Sequence, residues 1–128
     1  GCAGSSTAGP PILTGTAPSP GRSMNLDASN LPANAIGGQA ILGLRRLPTP
    51  VDLGALGAPG CLLRISDNLW GPTIPALGGK VSWTVQVPGS VAPWSPSVYV
   101  QFGVFAPGVN PLGVVTTNSA ELRLGPVF

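Results

Sequence analysis

The sequence predicts an all-β fold: an antiparallel β-sandwich or jelly-roll-like domain of seven or eight short strands with an extended N-terminal arm. Apolar and polar residues alternate with a period of two in several segments, clusters of turn residues separate these segments, and no stretch has helical periodicity. The chain has 128 residues, of which 19 are glycine and 16 are proline. A hydrophobic fraction of 43% excludes a disordered chain, because disorder requires low hydrophobicity and high net charge.

The length fits one domain, and the composition changes near residue 21. We therefore divide the chain into an N-terminal arm, residues 1–21, and a single β-sandwich domain, residues 22–128. The arm consists of Gly, Pro, Ser, Thr and Ala with one apolar pair, Ile12-Leu13. Its prolines disfavour a helix and favour an extended chain.

The first strand of the domain follows Ser23, where alternation places Met24, Leu26 and Ala28 on one face. Ile36–Leu44 is an apolar run whose glycines predict a bulged strand. Arg45–Gly60 is rich in proline and glycine, which predicts a long ordered loop or a short edge strand.

The second half of the domain contains the clearest alternation. Cys61–Ser66 and Lys80–Pro88 each place apolar residues on one face, and Val98–Phe105 is apolar on both faces, as a central strand requires. Val114–Thr116 and Ala120–Leu124 predict a hairpin around three intervening polar residues. The predicted core consists of Met24, Leu26, Leu42, Leu63, Ile65, Val81, Trp83, Val85, Val100, Phe102, Leu122 and Leu124.

The charge balance excludes several classes of function. Six basic and four acidic residues give a net charge of +2, and only Arg45 and Arg46 are adjacent basic residues, so no nucleic-acid partner is expected. The chain has no histidine, so the usual base of nucleophilic catalysis is missing. We expect no enzymatic activity, no catalytic residue, no metal and no cofactor. Charged residues make up only 8% of the chain, so copies of it repel one another weakly.

Cys2 and Cys61 lie 59 positions apart, which is unlike any zinc-binding spacing. In an exported chain a disulfide is their natural use, and two free thiols are the alternative. The first residues lack the basic and apolar regions of a signal peptide, so we expect any export signal to have been removed. The longest apolar runs, such as Ser97–Ala106, are about ten residues long, too short for a membrane-spanning helix.

The three tryptophans differ in their surroundings. Trp83 alternates with valines and is predicted to lie in the core, whereas Trp70 and Trp94 are predicted to lie in loops close to prolines. An exposed indole can stack on a sugar ring, so these two residues are candidate ligand contacts. The alternative is that they cover the ends of the sandwich or lie in a subunit contact.

Several motifs resemble a recurrent family. Pro50–Ser66 contains VDLGALGAPGCLLRIS, Phe105–Gly125 contains PGVNPLG, and the chain opens with GCAG. These segments resemble the motifs of a secreted, cysteine-containing β domain in exported proteins of Planctomycetes and myxobacterial-type bacteria. Ala106 stands where the family pattern has Asp. The resemblance covers most of the chain and implies secretion, a β fold and a Cys2–Cys61 bridge, and it implies no known activity.

We therefore expect a non-enzymatic extracellular or cell-surface protein whose copies assemble into a filament or surface layer. Pro11, Ile12, Leu13 and Thr14 are expected to pair with an open sheet edge of a neighbouring copy, which would give a head-to-tail fibre. The competing interpretation ties the arm to its own domain through Cys2. A secreted binding module, with glycans as its ligands, is the alternative function.

Overall fold

The computed structural model describes Cys2 and residues 9–15, 22–66, 69–86 and 97–123. These residues form ten β-strands and one 3-10 helix, Leu53–Leu56. The strands are β1 (Ile12–Gly15), β2 (Ser23–Ser29), β3 (Gly37–Gly43), β4 (Arg46–Asp52), β5 (Leu62–Ile65), β6 (Leu69–Pro75), β7 (Val81–Gln86), β8 (Ser97–Phe105), β9 (Val114–Thr116) and β10 (Ala120–Arg123). The all-β prediction is confirmed, and ten strands exceed the seven or eight expected.

The strands form three sheets in which every pairing is antiparallel. The three-stranded sheet has the order β1-β2-β7, and the five-stranded sheet has the order β10-β8-β3-β6 with β9 also paired to β8. Strands β4 and β5 form a separate hairpin. Among the described residues, no helix is long and apolar enough to cross a membrane.

The core lies between the three-stranded and five-stranded sheets. Because side chains alternate along a strand, β2 contributes Met24 and Leu26 to it, and β8 contributes Val100, Phe102 and Val104 from the facing sheet. Each such burial contributes about 1.5–3 kcal/mol relative to an exposed side chain. This face-to-face packing makes the two sheets a β-sandwich.

Most of the predicted core is confirmed. Met24, Leu26, Val81, Val100 and Phe102 are buried in this core, and Ile65 is buried outside it. Leu42, Trp83, Val85 and Leu122 are only partly buried and pack against the core. Leu63 is also partly buried but lies outside this core, and Leu124 lies outside the described residues.

Strand β8 is central, as its apolar sequence predicts, but the expected C-terminal hairpin is wrong. Strands β9 and β10 do not pair with each other; they pair one after the other with the same edge of β8. The intervening Thr117 keeps contact with β8, because its N–H donates to the Phe102 oxygen at 3.0 Å and its Oγ1 accepts from the Phe102 N–H at 3.0 Å. Residues 117–119 are therefore an interruption within one edge of the sheet.

Two edge strands contain prolines, which in the sequence resemble a loop. Strand β6 contains Pro72 and Pro75 and pairs only with β3, and β4 contains Pro48 and Pro50 and pairs only with β5. Proline lacks the N–H that an interior strand needs, but an edge strand leaves one side unpaired. Trp70, which the sequence places in a loop, therefore lies in β6.

Candidate functional site

The disulfide prediction is confirmed, and the free-thiol alternative is wrong. Cys2 and Cys61 are bonded, with their Cα atoms 4.9 Å apart, inside the usual range for a disulfide. The Cys2 N–H donates to the Thr116 oxygen at 3.1 Å, and the Thr116 N–H donates to the Cys2 Sγ at 3.3 Å. The disulfide therefore fastens Cys2 to the start of β5, and the two hydrogen bonds fasten it to β9.

The described part of the arm docks within its own chain. Strand β1 pairs with β2, and Pro11 and Leu13 are buried while Ile12 and Thr14 are exposed. The side chain of Asn118 binds the free edge of β1: its Oδ1 accepts from the Leu13 N–H at 2.8 Å, and its Nδ2 donates to the Leu13 oxygen at 3.3 Å. The described part of the arm therefore pairs with its own domain, and contact of Pro11–Thr14 with a second copy stays a prediction.

Gln101 joins the β4–β5 hairpin to the outer face of the five-stranded sheet, the face directed away from the core. Its side chain is fully buried. Its Nε2 donates to the Leu62 oxygen at 2.8 Å and to the Thr117 oxygen at 2.9 Å, and its Oε1 accepts from the Arg64 N–H at 3.0 Å. Three bonds satisfy this buried amide, which the sequence showed only as one polar residue in an apolar strand.

An apolar cavity of about 250 Å³ lies between this hairpin and the outer face of the five-stranded sheet. Its floor comes from β3 and β8, its cover from β5 and the 3-10 helix. The apolar side chains inside it include Ile41, Leu53, Leu63, Phe105 and Val114. Gly103 also lines it and contributes no side chain, which leaves part of the volume empty.

Exposed apolar side chains form the rim of this cavity. Leu56, Trp70 and Leu112 all line the cavity and are 65%, 53% and 40% exposed. We call these three residues the apolar rim. Contiguous exposed apolar surface of this kind marks interaction sites. Trp70 is thus the predicted aromatic that the structure brings to a site, while Trp94 lies outside the described residues.

The two internal segments that carry the family resemblance meet beside this cavity. Gly57 ends the 3-10 helix with φ of 100°, and its oxygen accepts from the Leu112 N–H at 3.0 Å. A Cβ at this glycine would lie only 3.0 Å from that nitrogen and 3.1 Å from the Pro111 Cβ, so no larger residue fits without movement. One segment supplies Leu56 and the other supplies Leu112, which together make most of the apolar rim.

A second cavity, of about 310 Å³, is lined by charged, polar and apolar side chains: Arg46, Leu47, Pro50, Arg64, Asn118 and Ser119. The Arg46 Cζ lies 5.6 Å from the centre of the Tyr99 ring, which places its guanidinium within cation–π distance. We call this the arginine cavity.

The described residues show no arrangement typical of a metal centre. No group of three or more His, Cys, Asp or Glu side chains converges among them. The Asp52 carboxylate has a structural role: its Oδ1 accepts from the Gly54 N–H at 2.8 Å and caps the 3-10 helix.

No family model, curated protein or solved structure matches this chain. The motif resemblance therefore stays an interpretation of the sequence. The apolar rim and the arginine cavity are the candidate functional features of the described residues.

Proposed function

We propose that this chain is a non-enzymatic extracellular structural protein whose copies associate head to tail into a filament or surface layer. The observation that carries the proposal is the apolar rim around an apolar cavity. Burial of apolar surface contributes about 25 cal/mol per Å², so covering this rim with a partner is favourable. The cavity offers room for one inserted aliphatic side chain.

The chain itself presents such a side chain. Leu77 is 77% exposed, the highest value among the exposed large hydrophobic residues of the described chain. It lies on the connection between β6 and β7, where Leu77 and Lys80 exchange backbone hydrogen bonds of 2.8 and 3.1 Å across Gly78 and Gly79. Both glycines have positive φ, which allows the tight turn that holds Leu77 at the surface.

Leu77 and the cavity lie on different surfaces of the chain. Leu77 is on the loop that leads to the three-stranded sheet, while the cavity faces away from that sheet. Insertion of Leu77 from one copy into the cavity of the next is therefore a contact between unlike surfaces. Such contacts generate an open filament when the rotation between successive copies does not close into a ring.

Charge and redox chemistry support the same proposal. Only ten of the 128 residues are charged, so electrostatic repulsion between copies is weak. The Cys2–Cys61 disulfide suits an oxidising compartment, which supports an extracellular or cell-surface location.

A secreted glycan-binding module is the second candidate, and the exposure of Trp70 favours it. A sugar stacked on this ring would need hydrogen-bond partners for its hydroxyl groups. The two polar side chains described at the cavity offer few, because the Gln39 Nε2 already donates to the Gly71 oxygen at 3.0 Å and Thr116 is buried. Assembly is thus better supported than neutral-glycan binding at this cavity.

The test is sedimentation velocity combined with negative-stain electron microscopy over a wide range of concentrations. We expect the wild-type chain to polymerise, and we expect Leu77→Ser and Trp70→Ser each to raise the required concentration at least tenfold. Leu44→Ser is the matched control, because Leu44 is 68% exposed and does not line the cavity.

Mixing the two variants tests the head-to-tail geometry directly. The Leu77→Ser chain keeps its cavity and the Trp70→Ser chain keeps Leu77, so the mixture should form dimers that cannot extend. Monomers at every concentration for the wild type would contradict assembly. An equal effect of Leu44→Ser would contradict the proposed contact.

A further inference from the structure

The arginine cavity has the size of a small ligand site. Its volume of about 310 Å³ lies at the lower end of the range of roughly 300–1,000 Å³ typical of ligand pockets. It opens on the β4–β5 hairpin beside residues 118 and 119, so its lining is separate from that of the apolar cavity.

Two arginines line this cavity. Arg46 and Arg64 are two of the six basic residues in the chain, and none of the described lining residues is acidic. Glu121 pairs with Tyr99 in the neighbouring ladder but does not line the cavity. Guanidinium groups match carboxylates in shape and charge, so this pair favours an anionic group between them.

One of these arginines is positioned through its backbone and the other through its side chain. The Arg64 N–H donates to the buried Gln101 amide at 3.0 Å, which fixes the backbone that carries this half-buried side chain. The Arg46 guanidinium lies over the Tyr99 ring, which restricts its rotamers. Because Arg46 has less side-chain freedom left to lose, binding through it costs less conformational entropy.

The remaining lining indicates what the anion is attached to. Leu47 and Pro50 offer apolar surface and Ser119 offers a hydroxyl group, while the Asn118 amide is already bonded to the Leu13 backbone. A single carboxylate group is much smaller than this cavity, and a saccharide ring has both C–H faces and hydroxyl edges. We infer that the arginine cavity binds a sugar acid, with its carboxylate between Arg46 and Arg64.

The ring of this ligand packs against Leu47 and Pro50 and directs hydroxyl groups towards Ser119. This inference does not depend on self-assembly, because none of these residues belongs to the apolar rim. It is therefore tested in the Leu77→Ser background, where the chain is expected to be monomeric.

The experiment is calorimetric titration and NMR chemical-shift mapping with glucuronate, acetate and glucose as probes. We expect glucuronate to bind at one saturable site at least tenfold more tightly than acetate, and glucose to show no saturation. Arg46→Gln and Arg64→Gln should each weaken glucuronate binding about tenfold or more, since hydrogen bonds to charged groups are the stronger ones.

Arg45→Gln is the matched control, because it removes the same charge from the neighbouring exposed residue, which does not line the cavity. Its affinity for glucuronate should stay within twofold of that of the background chain. Thermal melting checks that each variant is folded.

An equal loss in Arg45→Gln would overturn the inference, because the effect would then be one of net charge. Acetate binding as tightly as glucuronate would overturn the sugar-acid assignment. Saturable binding of glucose, or no saturable binding of glucuronate, would also overturn it.

Discussion

The two faces of the five-stranded sheet are covered in different ways. Strand β8 shows the contrast within consecutive residues: Phe102 points into the core between the two large sheets, whereas Gln101 and Gly103 point to the β4–β5 hairpin. On the inner face, apolar side chains meet a full second sheet. On the outer face, a hairpin and one short helix cover the sheet and leave a cavity of about 250 Å³.

The difference shows how a small cover is held on a sheet. A two-stranded hairpin buries too little apolar surface to be stable alone. Here the buried amide of Gln101 binds the hairpin backbone, and the Cys2–Cys61 bond fastens its start. Directional bonds, and not close packing, hold this cover on the sheet. The apolar cavity and the three exposed residues of the apolar rim therefore lie on this side. Both candidate sites adjoin this hairpin.

The largest expected effect comes from truncating the two phenylalanines of β8. Phe102→Ala should lower the free energy of unfolding by about 3–5 kcal/mol, because Phe102 is fully buried in the core. Phe105→Ala should cost about half of that or less, because Phe105 is partly buried and already adjoins empty space. Denaturant unfolding of both variants measures the difference. Equal losses would mean that the two faces are packed equally well.

The strands also differ in how clearly the sequence predicts them. Period-two alternation identified β2, β5 and β7, and apolar residues on both faces identified β8. Strand β6 was missed because prolines at an edge look like a loop. Residues 117–119 looked like a hairpin turn, since the bonds between Thr117 and β8 cannot be predicted from the local sequence.

The candidate sites were harder to predict. Trp70 was identified as an exposed aromatic, but its neighbours come from segments far apart in sequence. Arg46 and Arg64 are 18 positions apart and line one cavity because β4 and β5 pair. A local sequence pattern cannot show this. Gln101 was visible only as a polar residue within an apolar strand.

The second prediction concerns the disulfide. Replacing both Cys2 and Cys61 by Ala should lower the free energy of unfolding by about 2–4 kcal/mol, because the unfolded chain loses a constraint across 59 positions. Hydrogen exchange should show the amides of β5 losing protection before those of β2. An equal loss of protection in β2 and β5 would contradict the view that the disulfide mainly secures the outer cover.

The third prediction removes the polar connection of the hairpin. Gln101→Leu should cost about 1–3 kcal/mol, because it leaves the Arg64 N–H and two backbone oxygens buried without partners. Gln39→Leu is the matched control, since this partly buried amide makes one bond, to the Gly71 oxygen. Thermal and denaturant unfolding compare the two. If both variants lost the same stability, Gln101 would have no special role.

The smallest expected effect is the change in stability when a glycine is replaced by alanine, and its sign should differ between the two faces. Gly103 lines the outer cavity, and a Cβ there would meet only the Val114 Cγ1 at 3.8 Å, an ordinary contact. Gly103→Ala should therefore stabilise the protein by about 0.4–1 kcal/mol, because alanine reduces the entropy of the unfolded chain.

Gly38 provides the matched comparison on the inner face. A Cβ at Gly38 would lie 3.1 Å from the Gly103 oxygen and 3.3 Å from a Val81 methyl group. The backbone oxygen belongs to a paired strand and cannot move away easily, so Gly38→Ala should destabilise the protein by about 1 kcal/mol or more. Denaturant midpoints measure both changes. The two glycines lie on adjacent strands of one sheet, so their variants differ mainly in the face that is filled. Changes in stability of opposite sign would show that the outer face is packed more loosely. Changes of the same sign would contradict a difference in packing between the two faces.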